Sequence, residues 1–304
     1  MLPSDCIALK YSNPECCALC GSPIQVKDGD LRVFDHESKI GWFHIAVCQS
    51  CGLGQTYPCV TQETAPLLYG SQLTSDFDVI GNNFFDRIKD VIAQSQINVF
   101  KRKLGKTPVS IMDYSCGNGR FALAAKSACP DAAVVAVDYP DNTPPSLVGT
   151  GVTYLSNESF KNNNDTFDII ILRHVLEHSY NPLALLTTLS SKLHKGGIMY
   201  IEVPNRRSGC VSVFGQYWKN HYVPRHVFHF TAETLATLVK QASLEAAMSG
   251  TNTPMMSNYL AIRFGLNDRS VLVKILGALL HPIQVAIETL TRSSTSLVCY
   301  SKRP

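Results

Sequence analysis

The sequence VSIMDYSCGNGRF, residues 109–121, decides the fold, because an apolar strand leads into small residues that open a helix. Small residues at Ser115, Gly117 and Gly119 let the backbone approach a ligand closely at the helix N-terminus. This arrangement indicates a nucleoside pocket. Gly117, Gly119 and Ala122 also match part of a dinucleotide fingerprint, so the motif alone leaves the ligand open.

Further strands and helices alternate after this motif. Strands are predicted at AVVAVD (133–138), FDIIIL (167–172), GIMYIEV (197–203) and, at the end, SLVCYSK (296–302). PLALLTTLSSKLHKGG (182–197) predicts a helix that runs to its glycine pair. Near-continuous apolar strands separated by helices indicate a parallel sheet covered on both faces. The predicted fold class is therefore α/β, a doubly wound, Rossmann-like sheet.

Two acids lie at the ends of the first two predicted strands. Asp138 follows Gly119 by nineteen residues, and a carboxylate at this place can accept both hydroxyls of a ribose. Asp113 would repel the pyrophosphate of a dinucleotide, which disfavours a dinucleotide-dependent oxidoreductase. A carboxylate there suits a cationic ligand with an amino group, such as S-adenosylmethionine.

The N-terminal region contains two C-x-x-C-G knuckles separated by 27 residues, formed by Cys17, Cys20, Cys48 and Cys51. Two such pairs predict a closed tetrahedral site for a structural zinc ion. Glycine after each second cysteine permits the left-handed turn of a knuckle. Cys16 is an alternative ligand to Cys17. Buried free cysteines are the other interpretation, and this is the one we adopt for Cys6 and Cys59.

These patterns divide the chain into three parts. Residues 1–75 are predicted to form the zinc-ribbon domain, with two short strands between the knuckles. Residues 76–106 form a helical connector, in which Gly81-Asn82-Asn83 interrupts the apolar spacing. Residues 107–304 form the Rossmann-like domain, with 255–294 as a mostly helical insertion. Within that insertion, 271–290 predicts an apolar helix interrupted near Pro282.

Composition limits the classes of function. Charged residues make up 17% of the 304 residues, hydrophobic residues 45%, and the net charge is +3. This balance gives no reason to expect a nucleic-acid partner. No secretory signal or transmembrane span is evident, which predicts a cytoplasmic protein with reduced thiols. Lys274, His281-Pro282 and Glu288 interrupt the apolar helix, which favours a lid or dimer surface, with interfacial membrane docking as the alternative. The oligomeric state stays open.

The motifs, in this order, resemble class I S-adenosylmethionine-dependent methyltransferases. The resemblance rests on D-x-S-x-G-x-G-R-F from Asp113, on FDIIILRHVLEHSYNP (167–182) and on LHKGGIMYIEVPN (193–205). WKNHYVPRHVFHFT (218–231) and CQSCGLGQTYP (48–58), which leads to LLYGSQ (67–72), are similar to a subgroup with a zinc ribbon in front. That subgroup resembles bacterial enzymes that act on sugars and cell-surface glycans. Its larger sugar C-methyltransferases carry a further C-terminal domain that this chain does not match.

The resemblance implies a cofactor pocket. The resemblance implies that the loop lines the methionine and ribose parts of S-adenosylmethionine, through Asp113, Ser115, Gly117 and Gly119. Ser115 stands where the family has its first glycine, and the loop can accommodate serine there if its φ is negative. Asp138 is expected to hold the ribose hydroxyls, with Tyr139 covering the adenine and Asn157 or Glu158 receiving its amino group. Arg173 and His174 follow the predicted strand FDIIIL (167–172) and are expected to face the crevice.

A histidine cluster supplies the predicted catalytic groups. Methyl transfer needs alignment and, where the nucleophile carries a proton, a base. His226 matches the position of the base in the resembling enzymes, with His221 and Tyr222 as helpers. A packing or capping role for His226 is the alternative, a three-histidine metal site is another, and His178 is expected to be structural.

The predicted function is methyl transfer to a small molecule, most simply a nucleotide sugar or cell-surface glycan precursor. The alternatives are a nucleotide-binding adaptor without turnover and a methyltransferase that acts on RNA or protein.

Overall fold

A computed structural model describes residues 9–69, 84–252, 254–267 and 270–304. The strands are β1 (Tyr11–Ser12), β2 (Leu31–Phe34), β3 (Trp42–Val47), β4 (Gly54–Tyr57), β5 (Cys59–Val60), β6 (Ser110–Tyr114), β7 (Ala133–Asp138), β8 (Thr153–Ser156), β9 (Phe167–Arg173), β10 (Leu193–Pro204), β11 (Phe228–His229), β12 (Glu245–Thr251) and β13 (Ser296–Lys302). The α-helices are α1 (Phe84–Leu104), α2 (Arg120–Ala128), α3 (Asn157–Lys161), α4 (Pro182–Ser191), α5 (Gly209–Phe214), α6 (Ala232–Gln241), α7 (Met256–Phe264) and α8 (Val271–Thr291). Short 3-10 turns lie at Ala65–Leu68, Pro145–Leu147, Leu176–His178, Gly215–Tyr217 and Lys219–His221.

A seven-stranded sheet in the order β12-β13-β10-β9-β6-β7-β8 forms the centre of the molecule. Neighbouring strands from β10 to β8 pair in parallel, and β13 pairs antiparallel with both β10 and β12. The chain moves outward from β6 to β8 and then returns to the other side of β6 as β9. This reversal opens a crevice at the carboxyl ends of the strands, where ligands bind in such folds. The predicted α/β, Rossmann-like fold class is confirmed.

Both faces of the sheet are covered, which explains the continuous apolar strands. Ile169, Ile171 and Val134 face a layer that includes α1 and α2. Ile170 and Leu172 face the other layer, which includes α4 and α6. Alternate residues of one strand thus enter two separate cores.

A smaller four-stranded sheet has the order β11-β4-β3-β2. The two strands predicted between the knuckles are confirmed as the antiparallel pair β2 and β3. Its edge strand β11 comes from WKNHYVPRHVFHFT (218–231), which we call the histidine segment, because Phe228 and His229 pair with Gln55 and Gly54. The division at residues 75 and 106 stays a prediction.

Two element boundaries differ from the sequence expectation. The helix after Asn181 ends at Ser191, and β10 already begins at Leu193, with a register shift between Leu193 and Ile198. Gly196 has a φ of +72°, so the glycine pair bends a strand and does not end a helix. The interruption predicted near Pro282 is absent from α8, which runs through the proline. The helical spacing before residue 84, with Gly81-Asn82-Asn83, lies outside the described residues, as do Cys6 and residues 70–72.

Candidate functional site

The loop after β6 turns through left-handed conformations that its small residues permit. Gly117 and Gly119 have φ values of +56° and +74°, and Ser115 has a φ of +60°. The condition under which Ser115 was expected to fit the family's glycine position, a negative φ, is therefore not met. A side chain at Gly119 would lie 2.5 Å from a methyl carbon of Leu147, whereas Gly117 faces open space. The loop thus packs on one side and leaves its other side free for a ligand.

Asp138 joins the end of β7 to this loop. One carboxylate oxygen accepts a hydrogen bond from the Gly117 amide at 2.6 Å, and the other accepts from the Tyr139 amide at 2.7 Å. The Cys116 thiol is a third donor to this carboxylate, whose two oxygens together offer about four acceptor sites. Burial raises the pKa of Asp138, which these amide bonds partly offset. The predicted pair of loop and ribose-binding acid is therefore in contact.

Asp113 lies buried beneath the loop, where Oδ2 accepts a hydrogen bond from the Ala122 amide at 3.1 Å. Burial raises the pKa of Asp113 to about 7, against the opposing charge of Arg173. Asp138 adds a smaller increase. The carboxyl group therefore loses its proton near neutral pH, and a cation bound beside it would stabilise the ionised form.

Arg173 and His174 end β9 at the crevice, as predicted, but both contact acids that the sequence analysis did not identify. Arg173 Nε donates to Glu202 at 2.9 Å, and its guanidinium lies 4.1 Å from the ring centre of Phe121. His174 Nδ1 lies 3.2 Å from Glu177 Oε1. Burial would lower the pKa of His174, but the hydrogen bond to Glu177 and the charge of Glu202 raise it. A buried acid inside an apolar strand was the available signal for Glu202.

The residues expected near the adenine lie at the ends of β7 and β8. Tyr139 is 64% exposed beside Asp138. Asn157 begins α3 and is half-buried, whereas Glu158 is exposed and forms an ion pair with Lys161 at 2.6 Å. The choice between the two therefore favours Asn157, because Glu158 faces solvent. Their contacts with a cofactor stay a prediction.

The histidine segment packs against the 3-10 turn Leu176–His178. His226 Nδ1 lies 2.9 Å from the Asn220 carbonyl oxygen, and Nε2 lies 4.0 Å from Glu177 Oε1. The rings of His226 and His178 are 4.7 Å apart. Burial and the neighbouring histidines hold the pKa of His226 well below its usual range. Glu177 thus lies between His226 and His174, although it was not among the residues selected from the sequence. An acid flanked by an apolar residue and a histidine was the pattern that could have indicated it.

The two predicted helpers differ in position. Tyr222 has its ring 5.3 Å from that of His226 and lines a cleft of about 360 Å³. The cleft lies between the β2–β3 hairpin, the segment 216–223 and α7. His221 is buried, with Nε2 3.0 Å from the Gly215 carbonyl oxygen, and burial lowers its pKa to about 4. That contact gives His221 a packing role, so Tyr222 is the better placed helper.

His178 has the structural contacts that the sequence analysis expected. Its Nδ1 lies 3.1 Å from the Arg225 carbonyl oxygen and 3.3 Å from the Tyr69 hydroxyl. Even so, Glu177, His178 and His226 place three ligand atoms within 4.8 Å of one another. The three-histidine grouping of 221, 226 and 229 is more open, with ring centres 6.3 to 6.5 Å apart for two of its pairs.

The four knuckle cysteines converge. Their sulfur atoms all lie within 4.8 Å of one another, with Cys17–Cys51 at 3.5 Å and Cys20–Cys48 at 3.6 Å. Tetrahedral Zn–S bonds of about 2.3 Å would place sulfurs about 3.8 Å apart, so the cluster fits zinc. The glycines after the knuckles, Gly21 and Gly52, have φ values of +72° and +82°. Cys16 is exposed outside the cluster, and Cys59 is buried with its thiol on the Val60 carbonyl.

Comparison with known proteins identifies the family. The family model described as "Methyltransferase domain" matches residues 85–247 of the 304. A ubiquinone biosynthesis O-methyltransferase of Dinoroseobacter shibae is 28% identical over 57% of this chain and 73% of its own. Another from Ruegeria pomeroyi is 25% identical over 64% of this chain and 83% of its own. The structure of the plantazolicin methyltransferase BpumL with SAH (S-adenosylhomocysteine) and a substrate analogue has a TM-score of 0.51 at 16% identity. That alignment covers 80% of this chain and 93% of BpumL.

The expectation of sugar-modifying relatives is not matched by these proteins: the first two are named for O-methylation in ubiquinone biosynthesis, and BpumL is named for plantazolicin. The expectation of S-adenosylmethionine as cofactor agrees with the family. The chain belongs to the methyltransferase-domain family and is a class I S-adenosylmethionine-dependent methyltransferase that acts on a small molecule.

Proposed function

We propose that this enzyme methylates a hydroxyl oxygen of a small molecule, with His226 as the base. The observation that carries the proposal is the position of His226, buried and neutral, with Nε2 directed toward the Glu177 carboxylate. The names of the relatives support an oxygen acceptor. The nucleotide sugar or glycan precursor expected from the zinc ribbon is the second candidate, because hydroxyl groups are also its acceptor atoms.

The loop residues suit the cofactor for separate reasons. Open space above Gly117 leaves room for the ligand, and the Asp138 carboxylate keeps acceptor capacity for a ribose hydroxyl beyond its three donors. Asp113 and Asp138 place negative charge near a sulfonium or an ammonium group. The bound cofactor supplies an electrophilic methyl group. The half-buried Asn157 would receive the adenine amino group, with Tyr139 against its ring.

The base needs a free lone pair at neutral pH. A proton on Nδ1 of His226 donates to the Asn220 carbonyl, which assigns the lone pair to Nε2. The lowered pKa keeps the ring neutral, so Nε2 can accept the proton of the acceptor hydroxyl. Glu177, at 4.0 Å, then faces the resulting imidazolium and stabilises its charge. A positioned base of this kind contributes about 10²–10⁴-fold to a rate.

Methyl transfer from labelled S-adenosylmethionine tests the proposal with two acceptor panels, hydroxylated aromatic rings and nucleotide sugars. His226→Gln should lower kcat about 100-fold or more while SAH affinity stays unchanged. His194→Gln is the matched control, because His194 contacts Asp168 and Thr166 at the start of β10, away from the histidine segment. Equal rates for His226→Gln and the unmodified enzyme would remove His226 as the base.

The metal and location follow as separate proposals. The sulfur distances support a structural zinc ion on Cys17, Cys20, Cys48 and Cys51. The same assay separates the adaptor from every methyltransferase alternative, because an adaptor without turnover releases no methylated product. Steep loss of RNA binding with salt would indicate a nucleic-acid substrate. A cytoplasmic location stays a prediction.

A further inference from the structure

Helix α8 has two polar side chains on its inward side. Gln284 and Glu288 are buried, and Gln284 Nε2 donates to Glu288 Oε1 at 2.8 Å and to Thr295 Oγ1 at 3.0 Å. The Gln284 side-chain oxygen accepts from the Met255 amide at 2.9 Å. These buried contacts fix one side of the helix to the protein. The same side also buries the apolar Val273, as the inward side of a surface helix usually does.

The outward side of α8 is apolar along its length. Six exposed apolar side chains lie along one side of the helix, most of them separated by three, four or seven residues, and therefore form one stripe: Leu272, Ile275, Leu276, Leu279, Ile283 and Leu290. Helix α7 packs closely beside it, because a side chain at Gly277 would lie 2.6 Å from the backbone of Ser257. The end of α7 adds exposed Phe264 and Leu266. We call this stripe, with Phe264 and Leu266, the apolar face. A contiguous exposed surface of this kind marks a contact with a partner or a membrane.

The charged residues around the apolar face indicate whether a second protein copy or a membrane covers it. Among the described residues of 254–292, three are basic, Arg263, Lys274 and Arg292, and Glu288 is the acid. Glu288 is buried, and Arg263 and Arg292 are exposed at the ends of α7 and α8. A second copy on the same face would bring these basic groups toward one another. Anionic lipid headgroups would instead pair with them.

Among the described residues, α8 is the helix that is long and apolar enough to cross a membrane by its length and composition. Crossing would require it to leave the buried bonds of Gln284 and Glu288. We propose that the apolar face of α7 and α8 lies flat in the headgroup region of an anionic bilayer. Apolar side chains enter the acyl boundary, and the basic residues contact the headgroups. Leu266 also lines the cleft beside Tyr222, so the cleft borders the docked surface.

Vesicle flotation with the full chain tests this proposal. One set of vesicles is phosphatidylcholine alone, and the other contains about one third phosphatidylglycerol. The unmodified protein should float with the anionic vesicles. Leu279→Glu, at the centre of the apolar face, should reduce binding about tenfold or more, because it replaces a buried apolar contact with a like charge. Val109→Glu is the control, since Val109 is 65% exposed and Leu279 is 70% exposed.

Two measurements keep the result interpretable. SAH binding by each variant confirms that it folds, because the cofactor loop lies on other elements. Light scattering gives the oligomeric state without vesicles. The proposal is overturned if the unmodified protein stays with the unbound fraction, or if both variants bind vesicles equally. It is also overturned if Leu279→Glu converts a dimer to a monomer without any vesicle binding by the original protein.

Discussion

Backbone strain concentrates at residues of the site. Six non-glycine residues in the described chain have positive φ, and three of them are Ser115, His174 and Tyr222. Each was selected from the sequence on other grounds. Such conformations cost free energy and persist where the surrounding structure requires them. At Ser115 the requirement is the turn that brings the Gly117 amide to Asp138.

Ser115→Gly should therefore stabilise the protein. A left-handed conformation costs an L-residue about 1–2 kcal/mol, and the greater freedom of glycine in the unfolded chain offsets part of this. We expect a net gain of roughly 0.5–1 kcal/mol in the free energy of unfolding, measured with urea. Ser115→Ala keeps the strained conformation and should change little. Equal stabilities for the glycine and alanine variants would contradict the strain argument.

Asp113 predicts pH-dependent cofactor affinity. Its pKa of about 7 means that the carboxyl group is neutral below that pH and charged above it. Affinity for cationic S-adenosylmethionine should rise with pH by up to about tenfold per unit below pH 7 and level off above it. Titration calorimetry across this range measures the effect. Asp113→Asn, which cannot ionise, should bind weakly with little slope, and an unchanged slope would assign the titration to another group.

The elements that hold these residues were largely predictable, because each depends on local pattern. β7 and β13 have the predicted boundaries, since alternate apolar residues bury on two faces. The end of α4 was not predictable, because helical spacing continues through Lys192 while pairing of Leu193 with Phe167 converts the chain to a strand. Long-range pairing of this kind leaves no trace in local spacing.

Helix α6 offers a test at the same scale. Thr231 caps its N-terminus: its side chain accepts a hydrogen bond from the Thr234 amide, and the Thr234 hydroxyl oxygen accepts one from the Thr231 amide. Thr231→Ala should cost about 0.5–2 kcal/mol of stability. Thr237→Ala removes an exposed bond to Glu233 within the same helix and should have a smaller effect. Thermal unfolding compares the two variants, and a larger loss at position 237 would be evidence against the cap.

Across the whole molecule, the cysteine cluster connects to the histidine segment through β4. Thr56, five residues after Cys51, donates to the His226 carbonyl at 2.5 Å, and its amide donates to Val227 at 3.0 Å. Gln55 accepts from the Ala18 amide between the first pair of cysteines. The sequence predicted the cluster and the histidines separately. It could not predict their contact, which depends on residues about 170 positions apart.

Removal of the metal should therefore lower the rate of methyl transfer more than the affinity for the cofactor. A chelator at high concentration, or Cys48→Ser, should release about one zinc ion per chain, measured with a colorimetric indicator. We expect kcat to fall while SAH affinity changes little, because Asp138 and its loop belong to the other sheet. Cys59→Ser is the control thiol. Retention of full activity by the metal-free enzyme would contradict the coupling through β4.

The strand β11 also restricts how this protein can be divided. A fragment that ends at residue 69 would expose the backbone edge of β4, the kind of edge that recruits other chains into aggregates. During synthesis, that edge stays open until residue 229 has left the ribosome. The zinc-ribbon region therefore cannot be transferred to another enzyme as a fragment that ends after its last cysteine. A functional graft would have to exchange the ribbon and the histidine segment together.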